Sequence, residues 1–232
     1  MYNLYAAVLL ALSSVGLVSG GCIDRDPAEW PVHDISELRK RSEKELSAIF
    51  AKGCVEDESF MLGTKYFEMI WVDLPEPFRS AYTGLFNLAW QGFFVQKTVC
   101  KGEDLYFYFV LLNPFDGGKI FGSQYGWFTA KLTKGQLPDE KQRIDDAPSY
   151  LFDYRITKEE CPDQVSPFGR LKYPFDNPPI LNTVLDEGRI VGIDKENRPI
   201  ILIRIFFEVM PGKFVLWEHG LMLGNPLDGG TA

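Results

Sequence analysis

Histidine is the commonest general acid or base near neutral pH, and this chain has only two, His33 and His219. His219 stands beside Glu218 and would suit acid–base work if a pocket formed there; an exposed histidine behind the last strand is the simpler account. Gly122-Ser123-Gln124-Tyr125-Gly126 superficially resembles a serine elbow, but its serine is in the second place rather than the third, which reads as a turn. The sequence has no glycine-rich phosphate loop with its lysine, no H-E-x-x-H pair and no calcium-loop spacing of acids. With no C-x-x-C pair either, neither a metal nor a cofactor is expected. The 32 acidic residues could include a glycosidase pair, but such a pair is defined by its separation in space, so abundance alone is not evidence.

A second chemistry is apolar binding. In Leu105-Tyr106-Phe107-Tyr108-Phe109-Val110, alternation puts Tyr106 and Tyr108 on one face of a strand and Phe107 and Phe109 on the other. Together with Trp90, Phe93, Phe94, Tyr125, Trp127 and Phe128, one such face could line a cavity for an apolar ligand, as small barrels do. An ordinary aromatic core would use the same residues.

The elements that must position these side chains are mostly strands. Period-two, aromatic and β-branched runs predict strands at Tyr66 to Val72, Leu85 to Val99, Leu105 to Leu112, Ile120 to Leu132, Tyr150 to Ile156, Arg189 to Ile193, Ile200 to Val209 and Lys213 to Trp217. Short turn-forming stretches such as Asp194 to Pro199 and Pro211-Gly212 separate several of them, which predicts antiparallel hairpins. Asp34 and Glu37 form a capping-box pattern, and Ile35, Leu38, Leu46, Ile49 and Phe50 recur at helical spacing, predicting one amphipathic helix from Ile35 to about Lys52 that Gly53 ends. Arg39-Lys40-Arg41 on its polar side could meet an anionic partner or simply face water. The predicted class is α+β, with this N-terminal helix packed on a predominantly antiparallel, disulfide-stabilised sheet.

The first twenty or so residues carry no charged side chain, and Leu4 to Val18 is rich in Ala, Leu and Val. Roughly 15 apolar residues are too few to cross a bilayer and match a signal-peptide core, so residues 1–20 are expected to be removed and the mature chain secreted, without a transmembrane anchor. A lipid-modified Cys22 is the rival reading. The remaining 21–232 can form one domain, with residues 140–165 as a conceivable split. The net charge of −8 disfavours generic nucleic-acid binding. Cys22, Cys54, Cys100 and Cys161 are an even set, which in an oxidising compartment predicts two disulfides with three possible connectivities.

Tyr173-Pro174-Phe175-Asp176-Asn177-Pro178-Pro179-Ile180-Leu181, then Gly188-Arg189-Ile190-Val191, the turn Asp194 to Asn197 and a strand to Ile205 resemble the closing half of fungal guanyl-specific ribonucleases and the ribonuclease-like secreted effectors of plant-pathogenic fungi. The resemblance covers about a fifth of the chain. It implies a helix on a twisted antiparallel sheet, with Asp176 in the place of the general base and Arg189 as electrostatic stabiliser. The slot of the general-acid histidine holds Ile205 or Phe206, which implies a non-catalytic relative that uses the scaffold for binding.

Three functions follow as expectations. The first is a secreted, effector-like virulence or interaction protein that recognises a protein or surface partner without chemistry. The second is a divergent ribonuclease around Arg189 and Asp176, with His219 a separate catalytic candidate, and the third a carrier of an apolar small ligand.

Overall fold

The structure is a computed structural model that describes residues 22–100, 103–112, 127–155, 181–224 and 226–227. The leader, Gly122 to Gly126, Cys161 and Asp176 lie outside the described residues, as do the side chains of 93–100 and 103–112, so the aromatic alternation expected for Tyr106 to Phe109 does too.

Eight strands form a closed barrel in simple chain order: β1 (Gly63–Val72), β2 (Trp90–Cys100), β3 (Glu103–Leu112), β4 (Trp127–Gly135), β5 (Ser149–Asp153), β6 (Val184–Ile193), β7 (Pro199–Met210) and β8 (Lys213–Leu223). Each strand pairs antiparallel with the next, and β8 returns to β1 in a register from Tyr66↔Leu223 to Val72↔Glu218. Every strand is paired on both sides for at least part of its length, which limits the sheet edge free to template aggregation. β5 falls inside the interval considered for a domain split and pairs with both β4 and β6, so Ser149–Asp153 is barrel wall.

β7 shows why its sequence is apolar on both faces. Ile201, Ile203 and Ile205 point into the barrel and pack with Phe67, Phe152, Ile190 and Met222. Ile200 and Leu202 point outward, where Val32, Leu38, Leu46 and Phe50 of the N-terminal segment cover them. Two buried faces turn the usual alternation into a near-continuous hydrophobic run. Polar turns join the strands: Asp194 Oδ1 accepts from the backbone N–H of Glu196 and Arg198 at 2.9 and 2.8 Å, and Asn197 takes a left-handed φ of 58°.

The expected single helix from Ile35 to Lys52 is broken in two. A 3-10 turn occupies Ile35–Glu37, capped by Asp34 as its box predicted, and an α-helix, α1, covers only Glu43–Phe50. Ser42 interrupts the run because it caps a second box, in which Glu45 returns a bond to the Ser42 N–H at 2.9 Å. The predicted strand from Leu85 is also shorter. A second helix, α2 (Phe78–Ala89), replaces its first five residues.

Cys22 and Cys54 form a disulfide. Cys54 is bound to Ile190 of β6 by both backbone groups, and Cys22, Trp30 and Met61 join the interior cluster, so the bridge pins the N-terminal segment to the barrel. Val32 crosses Gly192 so closely that a Cβ there would lie 2.0 Å from the Val32 carbonyl oxygen. No described helix is long and apolar enough to cross a membrane.

Candidate ligand site inside the barrel

The ladder registers place Leu132, Phe152, Asp186, Ile205, Glu218 and Val72 side by side across β4, β5, β6, β7, β8 and β1. Four of these are apolar, buried wall residues. The other two are carboxylates. Asp186 faces the interior because its alternates along β6 do: a Cβ on Gly188 would meet Phe152, Ile201 and Ile203, and Ile190 belongs to the interior cluster. Glu218 faces it for the same reason, since a Cβ on Gly220 would lie 2.5 Å from the Phe67 ring.

Asp186 and Glu218 are only 8% and 6% exposed. The Tyr154 hydroxyl donates to Asp186 Oδ2 at 3.0 Å, while Asp186 Oδ1 is buried with no partner. Burial lifts the Asp186 carboxyl well above its ordinary range, the Tyr154 bond opposes this, and the Glu218 charge adds to it. Burial also raises Glu218, against hydrogen bonds from Tyr82 and Trp217. The Tyr82 hydroxyl donates to Glu218 Oε1 at 2.7 Å. Two acids therefore share one low-dielectric space, and among the described residues no basic side chain bonds either of them.

Aromatic rings surround it. The β7–β8 register slips between Ile205 and Phe206, so Trp217 is an extra residue on β8 and its ring meets Phe207 edge-on at 6.2 Å. From the other side α2 brings Tyr82 and Phe86, stacked at 6.2 Å, and Phe86 meets Phe67. The helix is seated by a side chain: Asn87 donates to the Met69 carbonyl at 2.8 Å and accepts from its N–H at 2.7 Å, taking the place of a strand partner where β2 no longer pairs with β1. β1–β2 pairing stops at Tyr66↔Gly92, so α2 is part of the wall near Met69.

Lys65 is fully buried and shares the inward parity of Phe67 and Met69. Its ammonium donates to the Leu62 carbonyl, and burial pushes its pKa down to about 8. It lies towards the far end of the barrel from the acids, seven residues along β1 from Val72.

Arg189 and His219 lie elsewhere. Arg189 is on the outer face of β6 with its side chain 3% exposed, so it is not a surface arginine. Its guanidinium is held by both Asp145 oxygens at 2.9 and 2.7 Å, by Ser149 Oγ at 3.0 Å and by the Ala147 carbonyl at 2.7 Å, and it lies over the Phe50 ring. His219 does not follow the last strand as expected but lies within β8, fully buried on the outer face, edge-on to Trp71 at 5.5 Å. Neither ring nitrogen has a partner, and burial with the nearby Arg204 charge pushes its pKa down to about 3. Arg204, beside it in the register, pairs with Glu187; burial works against both charges and their attraction offsets it. Of the two positions in the histidine slot, Ile205 faces the interior and Phe206 packs outside against Leu137 and Phe214.

The sequence reading does not single out Asp186, Tyr82, Tyr154 or Lys65, and Glu218 enters it only as the neighbour of His219. The available signal was a pair of acids inside apolar strands. Comparison with protein-family models, with curated proteins and with solved structures finds no match.

Proposed function

We propose that this protein binds a small, largely apolar ligand inside its barrel and performs no chemistry on it, the carrier reading among the three expectations. A closed up-and-down barrel of eight strands is about the size that encloses one small ligand, as lipocalins do. The observation that carries the reading is the unpartnered Asp186 carboxylate oxygen among aromatic walls. Burying such a group costs free energy and adds nothing to folding, so it marks a place prepared for another molecule.

The same geometry weighs against a ribonuclease built on Arg189, whose charge is already neutralised by Asp145 inside a packed layer. The Cys22–Cys54 bridge supports action in an oxidising compartment, which fits a secreted binding protein.

Titration with N-phenyl-1-naphthylamine, an uncharged dye that brightens in apolar surroundings, tests the proposal. Saturation near one dye per chain is expected. Absence of saturable brightening in protein with a cooperative melt would refute it.

A further inference from the structure

We propose that the ligand is a small aromatic or apolar amine bound in its protonated form, its ammonium held between the carboxylates of Asp186 and Glu218. The inference rests on the reading that the barrel interior is the binding site and adds the chemical class of what enters it.

The two carboxylates sit on the same row of the wall, on β6 and β8, with Ile205 of β7 between them. Neighbouring strands are about 4.8 Å apart, so the two backbones are separated by about 10 Å, a span across which two acidic side chains can converge on one cation. Asp186 Oδ1 is buried and unpartnered, and only phenolic hydroxyls and an indole bond the other carboxylate oxygens for which a partner is known. These groups donate hydrogen bonds but bring no positive charge. The partner that would let both acids ionise here is therefore a cation, which would take the place of the proton that burial keeps on Asp186, that proton leaving to solvent.

The surroundings select which kind. A hard divalent ion needs six or more oxygen ligands, and the described residues contain no cluster of three or more metal-binding side chains. Phe152, Tyr154, Phe207 and Trp217 instead offer apolar faces, which suit an organic ammonium: the charge meets the acids, and the rings attract both charge and hydrocarbon. Tyr82 of α2 is partly exposed while its hydroxyl reaches Glu218, so the acid pair lies just beneath the surface next to α2. Lys65, a buried basic side chain of inward parity, is near the other end and bonded to Leu62. The net charge of −8 would steer a cation towards the protein.

The test is calorimetric titration of the whole protein with 2-phenylethylammonium chloride and with 2-phenylethanol, its uncharged counterpart. The amine is expected to bind about ten- to a hundredfold more tightly than the alcohol, the range for a charge-assisted hydrogen bond. Asp186→Asn and Glu218→Gln keep side-chain shape and can still accept from Tyr154 and Tyr82. Each should remove most of that advantage, and thermal melts confirm folding. Equal affinity for the two compounds, or an amine preference indifferent to both substitutions, overturns the amine assignment and leaves the interior site standing. If neither compound binds and the naphthylamine dye also fails to bind, the interior site falls as well.

Discussion

Asp186 and Glu218 flank Ile205 on the two strands beside it, both turned into the barrel, and the Glu218 charge adds to the burial that makes Asp186 hard to ionise. Such a pair works against folding. In the unfolded chain Asp186 loses its proton near pH 4, whereas the folded protein holds that proton to much higher pH. Over that interval the folded state binds more protons than the unfolded state, so this group's contribution to stability falls as pH rises. Asp186→Asn should therefore be more stable than wild type at pH 8 by about 1–3 kcal/mol, with the difference closing towards pH 4. Chemical denaturation at the two pH values checks this; an Asn variant less stable than wild type at pH 8 would contradict it.

Arg189 tethers the Asp145–Ser149 segment to the end of α1. Its replacement by Ala should cost about 2–3 kcal/mol in urea unfolding, below the usual figure for breaking a buried pair because Asp145 is 32% exposed and can be hydrated. Binding inside the barrel should be unchanged. RNA cleavage abolished by the substitution in protein that remains folded would instead revive the ribonuclease expectation.

Opening the Cys22–Cys54 bridge, which closes a 32-residue separation, should lower stability by about 3–4 kcal/mol in the chain-entropy relation. Cys54→Ser is suitable, since the Cys54 backbone bonds to Ile190 can persist. If the protein carries a second disulfide, Cys100 and Cys161 are the partners that remain, and peptide mapping without reduction should find them joined. A peptide linking Cys22 to either of them would contradict the structure.

Gly220 leaves room for the Phe67 ring, and Gly220→Ala would push that ring away from a Cβ only 2.5 Å distant. A loss of about 1–3 kcal/mol is expected, as for other overpacked cores. A melting temperature at or above that of wild type would show that the ring can move freely.

Much of the barrel is legible in the sequence. All eight strands fall on or overlap predicted runs, because the aromatic and β-branched period is a local property. Closure is not local: it depends on β8 meeting β1, and nothing in either strand alone announces it. The sequence predicts β6 only from Arg189 although it begins at Val184, because Asp186, Glu187 and Gly188 are poor strand formers that barrel context overrides. α2 was hidden by Leu85, Phe86 and Leu88, which suit a strand equally well, although Pro75 and Pro77 just before Phe78 are the kind of residues that precede a helix.

The site was harder to see for a related reason. Asp186-Glu187 and Glu218-His219 each pair an inward residue with an outward one, and a one-residue change of register would exchange them. Only the ladder decides that Asp186 and Glu218 share the interior while Glu187 and His219 lie under the N-terminal segment. His219 drew attention for its chemistry, yet it is the neighbour, Glu218, that faces the interior.

The most direct test is methyl NMR of the isoleucines and leucines of β7 during titration with 2-phenylethylammonium. Ile203 and Ile205 face the interior, whereas Ile200 and Leu202 face the layer formed with α1. A bound ligand should shift the first two, and Ile205 most because it lies between the acids, while the second two stay nearly fixed. Shifts confined to the outward pair, or none at saturating amine, would contradict an interior site.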